Sequence, residues 1–139
     1  MINAAPSGPV QVQTISNDDD VVRVRQLVRS VAVATKLSLV DQTKVVTAAS
    51  ELARNTLIYG GGGLAEVQAV SNSRRDGVRI TFIDEGPGIS DVDRAFTDGY
   101  STGGGLGLGL SGARRLMDEF DLETKIGEGT VVTAVKWQR

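Results

Sequence analysis

Apolar and polar positions alternate from Val10 to Ile15, with Val10, Val12 and Ile15 as the apolar members, and this predicts a half-buried strand. The period then changes. Val21, Val24, Val28 and Val31 recur at helical spacing, as do Leu27 and Ala34, so residues 18–36 are expected to form an amphipathic helix. Asn17 with Asp18, Asp19 and Asp20 marks its start, because these side chains accept from free N–H groups and favour the positive end of the helix dipole. A second helix follows Ser38, with a core stripe of Val45, Val46, Ala49, Leu52, Ala53, Thr56 and Leu57. It should stop at Tyr59, since Gly60 to Gly63 cannot sustain a helix.

Leu64 to Ser71 and Val78 to Ile83 read as an antiparallel hairpin around the turn SRRDG (73–77). From Asp84 to Gly105 no periodicity lasts beyond a turn or two, apart from a short helix near Asp91 to Phe96. Loops of that length in a compact domain are functional or disordered. A third helix is expected from about Leu106 to Phe120, with Leu106, Leu110, Ala113, Met117 and Phe120 along one face. A final hairpin pairs Asp121 to Ile126 with Thr130 to Trp137 across GEG (127–129). This order predicts an α+β two-layer sandwich, a mostly antiparallel mixed sheet with helices on one face. Residues 1–9, which hold Pro6, Ser7, Gly8 and Pro9, read as a loose N-terminal extension, and residues 10–139 as a single domain.

Composition narrows the chemistry. The 139 residues include no cysteine and no histidine, which excludes disulfide frameworks, thiolate or imidazole metal sites and Ser-His-Asp triads. The net charge of −2 argues against a sequence-independent hold on nucleic acid, which needs many Lys or Arg against phosphates. No run of 18 apolar residues is present to span a bilayer, and MINAAPSGPV lacks a charged and an apolar signal region, so a cytoplasmic protein without membrane contact is expected. The 17 glycines exceed the average share of about 7%. Eleven of them fall between Gly86 and Gly129.

Four segments are candidates for function. Glu51 and Asn55 lie four residues apart on one face of the second helix, nearly opposite the Ala49/Leu52/Leu57 stripe and beside Ala48. They are either a solvated polar face or an acid and an amide facing a pocket, the amide offering a hard oxygen to Mg²⁺. Asp84 opens DEGPGI (84–89), which is a turn by its Pro and Gly content and, with Gly86 and Gly88, a place where backbone can approach a flat ligand. STGGGLGLGL (101–110) exposes successive backbone N–H groups ahead of a helix N-terminus, an arrangement that holds phosphates. Gly127-Glu128-Gly129-Thr130 suffices as a tight hairpin turn. No Gly-Lys dipeptide occurs, which removes the Walker A loop, and no HRD, DFG or VAIK string, which removes the eukaryotic-type protein kinases. A Gly-x-Gly-x-x-Gly string at Gly107, Gly109 and Gly112 lacks the preceding strand of a dinucleotide fold.

Taken in order, ELARN (51–55), DEGPGI (84–89), GGGLGLGL (103–110) and GEGT (127–130) resemble the N box and the three glycine boxes of the GHKL superfamily. These are the Bergerat-fold ATPases that include gyrase, histidine kinases and bacterial anti-sigma kinases. The resemblance implies that Glu51 is the general base, Asn55 the Mg²⁺ ligand and Asp84 the acceptor for the adenine amino group of ATP. Gly86 and Gly88 would form the adenine-side backbone, and Gly103, Gly104, Gly105, Leu106 and Gly107 the lid over the phosphates. Thr130 would support the Asp84 end. Without a phospho-accepting histidine or the length of a gyrase, the chain is similar to the stand-alone serine/threonine switch kinases of the RsbT-like group. SELARN, DGYSTGGGLGLGLSGARRLMDEF and GEGTVVTAVKW carry that likeness.

The implied activity is ATP- and Mg²⁺-dependent phosphorylation of STAS-domain antagonist proteins of the stressosome type (RsbS/RsbR), followed by binding and activation of a PP2C-type phosphatase (RsbU). The alternatives are an RsbW-type kinase that binds a sigma factor directly, and a nucleotide-gated binding module that moves no phosphate. No basic residue lies between Phe96 and Gly112, so charge on the phosphates falls to Mg²⁺, to backbone, or to Arg54, Arg114 or Arg115.

Overall fold

The computed structural model describes residues 4–96 and 109–139. Its elements are β1 (Ala5–Pro6), β2 (Gln11–Ile15), α1 (Asp18–Ala34), α2 (Leu39–Ile58), β3 (Gly63–Ser71) and β4 (Asp76–Asp84), followed by α3 (Val92–Ala95), α4 (Gly109–Leu116), β5 (Glu119–Lys125) and β6 (Gly129–Trp137). The sheet order is β1-β3-β4-β6-β5, with β2 beside β1 on the same edge of β3. Every described pairing is antiparallel, so the parallel component that a mixed sheet requires is not among these strands. The first segment, read as a loose extension, places Ala5 and Pro6 opposite Ser71 and Val70, and Ser7 N donates to Ala69 O at 2.9 Å.

Both long helices begin where their caps dictate. Asn17 Oδ1 accepts from Asp20 N at 2.9 Å, and Ser38 Oγ accepts from Asp41 N at 3.1 Å. Asp20 also turns back, accepting from Ser16 N and Ser16 Oγ, each at 2.9 Å. The valine stripe of α1 is buried as its spacing demands: Val24 and Val28 are inaccessible. They pack with Val45, Ala49 and Leu52 of α2 against Ala65, Val67, Val78, Ile80, Phe82, Val132 and Ala134, the residues that alternate onto one face of β3, β4 and β6. The opposite face carries only a small cluster of Val70, Val135 and Trp137 with Ala4. The result is the α+β two-layer sandwich that the element order predicts.

The third helix differs from expectation at its C-terminal end. It stops at Leu116, and Phe120 pairs with Ala134 in β5 instead of extending the helical face. The cause is competition from the sheet: Asp118 N donates to Val135 O at 2.9 Å, and the Asp118 carboxylate accepts from Trp137 N at 2.8 Å, so the chain joins β6 as soon as α4 ends. Residues 106–108, the expected start of that helix, lie outside the described residues. Among the described residues no helix is long and apolar enough to cross a membrane.

Candidate functional site

A cavity of about 320 Å³ opens between the C-terminal half of α2, the end of β4, the segment that follows it, and the first turn of α4. Three of the residues singled out in the sequence line it from three different elements. Asn55 comes from α2, Asp84 from the last position of β4, and Thr130 from β6. Asp84 and Thr130 are register partners across β4 and β6, which is why residues 46 positions apart in the chain share one wall. The floor is apolar, built by Leu52, Phe82, Leu110 and Val132, with Ile89 at the side. An apolar slot with a few convergent polar groups is the general form of a small-ligand site.

Asp84 is held by its neighbours. Its Oδ1 accepts from Gly86 N at 2.9 Å, an Asx turn that fixes the carboxylate at the cavity wall. Gly86 itself does not line the cavity. A Cβ there would meet Gly60 Cα and O at 2.8 Å, so residue 86 has to be glycine for the two loops to touch. Gly88 does line the cavity and has φ +78°, a backbone conformation that glycine adopts without strain. The loop is then pinned to the last hairpin. Ile89 N donates to Thr124 Oγ1 at 2.9 Å, Thr124 Oγ1 lies 2.9 Å from Thr130 Oγ1, and Gly127 N donates to Pro87 O at 2.8 Å. DEGPGI and GEGT, two turns when read singly, are therefore one hydrogen-bonded wall.

Glu51 stands one helical turn before Asn55 and is 5% exposed. It does not line the cavity, whereas the half-buried Asn55 does. Gly103, Gly104, Gly105, Leu106 and Gly107 lie outside the described residues. The last glycine of the same segment, Gly109, lines the cavity at the N-terminus of α4.

Sequence reasoning missed four contributors. Gly60 was read only as a helix terminator, yet it lines the cavity and its Cα presses on the Asp84 carboxylate. Thr56 was assigned to the core stripe and is indeed buried, but it lines the cavity as well. Tyr59 lies at the rim of the site as the C-cap of α2. Thr124 links Ile89 to Thr130, and the signal available for it was its position opposite Thr130 on the inner face of the hairpin.

This arrangement has known relatives. Residues 40–138 match the sequence profile of the histidine kinase-, DNA gyrase B- and HSP90-like ATPases. The chain belongs to this ATPase family. Within it, the chain is 46% identical over 125 residues to the serine/threonine-protein kinase RsbT of Bacillus subtilis, covering 90% of this chain and 94% of that protein. It is also 32% identical over 118 residues to the anti-sigma F factor of Clostridium beijerinckii, covering 76% and 81% of the two chains. Among solved structures, the RsbU and RsbW domains of a Mycobacterium tuberculosis protein superpose with a TM-score of 0.66 at 19% identity. That likeness takes in 94% of this chain and 33% of the larger one, and it speaks for the fold.

Proposed function

We propose that this chain is an ATP-dependent protein-serine/threonine kinase of a partner-switching stress-response module. It phosphorylates STAS-domain antagonist proteins of the RsbS/RsbR type and, once released from them, binds and activates a PP2C-type phosphatase of the RsbU type. The observation that carries the nucleotide half of this reading is the convergence of Asp84, Thr130 and Asn55 on one apolar cavity beside the N-terminus of α4. The kinase half rests on the 46% identity to a serine/threonine-protein kinase along nine-tenths of the chain.

The roles follow from the donors available. Asp84 accepts from the exocyclic amino group of adenine, with Gly88 allowing backbone to approach the ring and Gly86 keeping the carboxylate in place. Thr130 steadies that end through Thr124. The phosphates run toward α4, whose free N–H groups favour negative charge, and toward the lid of Gly103, Gly104, Gly105, Leu106 and Gly107. Asn55 offers one amide oxygen at the cavity wall, which suits Mg²⁺: that ion takes few protein ligands and completes its octahedron with phosphate oxygens and water. Bound there, Mg²⁺ would neutralise the charge developing on the phosphates.

Glu51 is the base. An acceptor serine or threonine hydroxyl attacks the terminal phosphorus, its proton passes to the Glu51 carboxylate, and the bond to the bridging oxygen of ADP breaks with its electron pair staying on ADP. The product is the phosphoester. Glu51 takes this role from a buried position on α2, one helical turn before Asn55. The whole cycle belongs to the cytoplasm, where ATP and such partners occur together.

A second reading, an anti-sigma kinase that holds a sigma factor directly, is favoured by the anti-sigma F factors at 25–32% identity among the relatives. The deciding experiment offers purified protein ATP labelled at the terminal phosphate together with candidate STAS proteins, and in parallel captures its partners from its own cells. Labelled STAS protein with a phosphatase in the capture supports the switch kinase. A sigma factor in the capture supports the second reading, and nucleotide-dependent capture without label supports a binding module that moves no phosphate.

A further inference from the structure

The nucleotide needs a cation, and the structure distinguishes among the three arginines that the sequence offers. The guanidinium of Arg114 lies over the ring of Phe96, 4.2 Å from its centroid, and is engaged in a cation–π contact. Arg115 donates from Nη2 to Ser111 Oγ at 2.9 Å along α4. Arg54 differs. Its Nε is buried and has no hydrogen-bond partner, and among the described residues it is the one buried side-chain nitrogen or oxygen in that condition.

A buried donor without an acceptor is costly, more so when it carries charge, and folded proteins retain very few of them. Where one persists beside a ligand cavity, a ligand acceptor explains it. Arg54 does not itself line the cavity; it is adjacent in α2 to Asn55, which does, and three positions from the proposed base. Gly60, just past the C-terminal end of α2, lies against the Asp84 carboxylate, and Asn55 and Arg54 precede it by more than a helical turn. Arg54 is one step of about 100° around the helix from Asn55. That step is to the same side of Asn55 as Glu51. The stretch from Phe96 to Gly112 contributes no cation to this side.

We infer that Arg54 is the cation for the terminal phosphate of the bound nucleotide, donating through Nε and an adjacent Nη to its oxygens in the bidentate fashion that guanidinium favours. The inference rests on the ATP-kinase reading above and adds to it a residue and a task. Arg54 neutralises charge on the group being transferred, and it therefore separates ATP from ADP, because ADP lacks the phosphate it holds. An ammonium in its place would keep a point charge but lose the fork.

The test is calorimetric titration of the full chain with Mg-ATP and with Mg-ADP, for wild type, R54M and R54K, with thermal melts in parallel. In R54M the affinity for ATP should fall about tenfold or more while that for ADP changes by less than about threefold, the loss expected of one charge-assisted pair. R54K should fall between R54M and wild type in its preference for ATP. Equal losses for the two nucleotides, or no loss for either, overturn the assignment. If R54M does not fold, R54K carries the test: an ATP-to-ADP preference equal to wild type then rejects the bidentate contact. Failure of wild-type protein to bind either nucleotide would instead overturn the ATP-site reading itself, and is distinguishable on that account.

Discussion

The Cα of Gly60 is packed against the carboxylate of Asp84, so closely that a Cβ on residue 60 would stand 2.5 Å from Asp84 Cγ and 2.7 Å from its Oδ2. Gly60 has no positive φ, so its requirement for glycine is spatial and not conformational. Substituting alanine there should leave the helix end intact and push the carboxylate away from its place on the cavity wall. For Gly60→Ala we expect ATP affinity, measured by calorimetry, to fall about tenfold or more, with a thermal midpoint close to wild type. Unchanged affinity would show that Asp84 can rotate without cost and does not fix the ligand.

Asp84→Asn examines the same wall without moving backbone. The Asx bond from Gly86 N occupies one oxygen, and the other must accept from the adenine amino group. The asparagine can keep the first bond, but it then presents an NH₂ where an acceptor is needed. Nucleotide affinity should fall about tenfold or more, since two donors then face each other in an apolar site. Calorimetry that returns the wild-type affinity would count against Asp84 as the adenine acceptor.

Much of this site could be read from the chain, for identifiable reasons. The ends of α2 were legible because Ser38 caps one end and a glycine run closes the other, both local signals. Asp84 was placed correctly at a strand end because the alternation Val78, Ile80, Phe82 stops there. What could not be read is what two distant segments do to each other. Gly60 and Gly86 each have an adequate local explanation, and only the fold shows that Gly86 packs on Gly60 and Gly60 on the Asp84 carboxylate. Thr124 has no motif at all. The burial of Glu51 was likewise hidden, because a helical wheel reports the angle of a residue to its own core stripe and not what the rest of the fold lays over it. The end of α4 was misjudged for the same kind of reason, since pairing of residues 118–120 with β6 overrides a helical pattern that continues to Phe120.

Glu51→Gln keeps the shape of a buried side chain and removes only its ability to take a proton. General-base assistance is typically worth about 10²–10⁴ in rate. Phosphoryl transfer to a STAS acceptor should therefore drop by about a hundredfold or more, while ATP affinity stays within about threefold of wild type. Retained transfer in this variant would reject Glu51 as the base, whatever happens to binding.

Asp20 supplies a prediction about pH. The hydrogen bond from Ser16 N, then that from Ser16 Oγ and the pairing with Arg23, hold its carboxyl below the ordinary value of 3.8, outweighing the opposing effect of burial. A carboxyl depressed in the folded state stabilises the fold above its unfolded value, and that contribution disappears as pH falls through the folded value. Wild type should accordingly lose part of its thermal stability below about pH 4. Asp20→Asn should melt lower than wild type at pH 7, and the gap should narrow toward pH 3. A gap independent of pH would mean that the charge on Asp20 contributes nothing and only its hydrogen-bonding shape does.

Lys136 is a buried cation outside the cavity. Its side chain is 3% exposed, on the helix-facing side of β6, and its ammonium donates to Leu116 O at 3.0 Å. Asp118 Oδ1 is 3.5 Å from it and Asp41 Oδ1 3.8 Å, so one cation joins the end of α4, the start of β5 and the first turn of α2. Asp118 has other partners, Trp137 N and Arg139, whereas Asp41 is 4% exposed and has Lys136 as its ion-pair partner among the described residues. Removing one member of a buried pair costs about 3–5 kcal/mol because the other charge is left uncompensated. Lys136→Met should lower stability in urea by about that amount, and adding Asp41→Asn should recover part of the loss, since the residual charge is then gone. If the double variant is instead as unstable as the sum of the single changes, Lys136 acts through its bond to the α4 carbonyl and not through the ion pair. Because α4 also presents Gly109 and Leu110 to the cavity, loosening its far end should weaken nucleotide binding in parallel with stability. Calorimetry on Lys136→Met at a temperature where it remains folded measures that coupling directly.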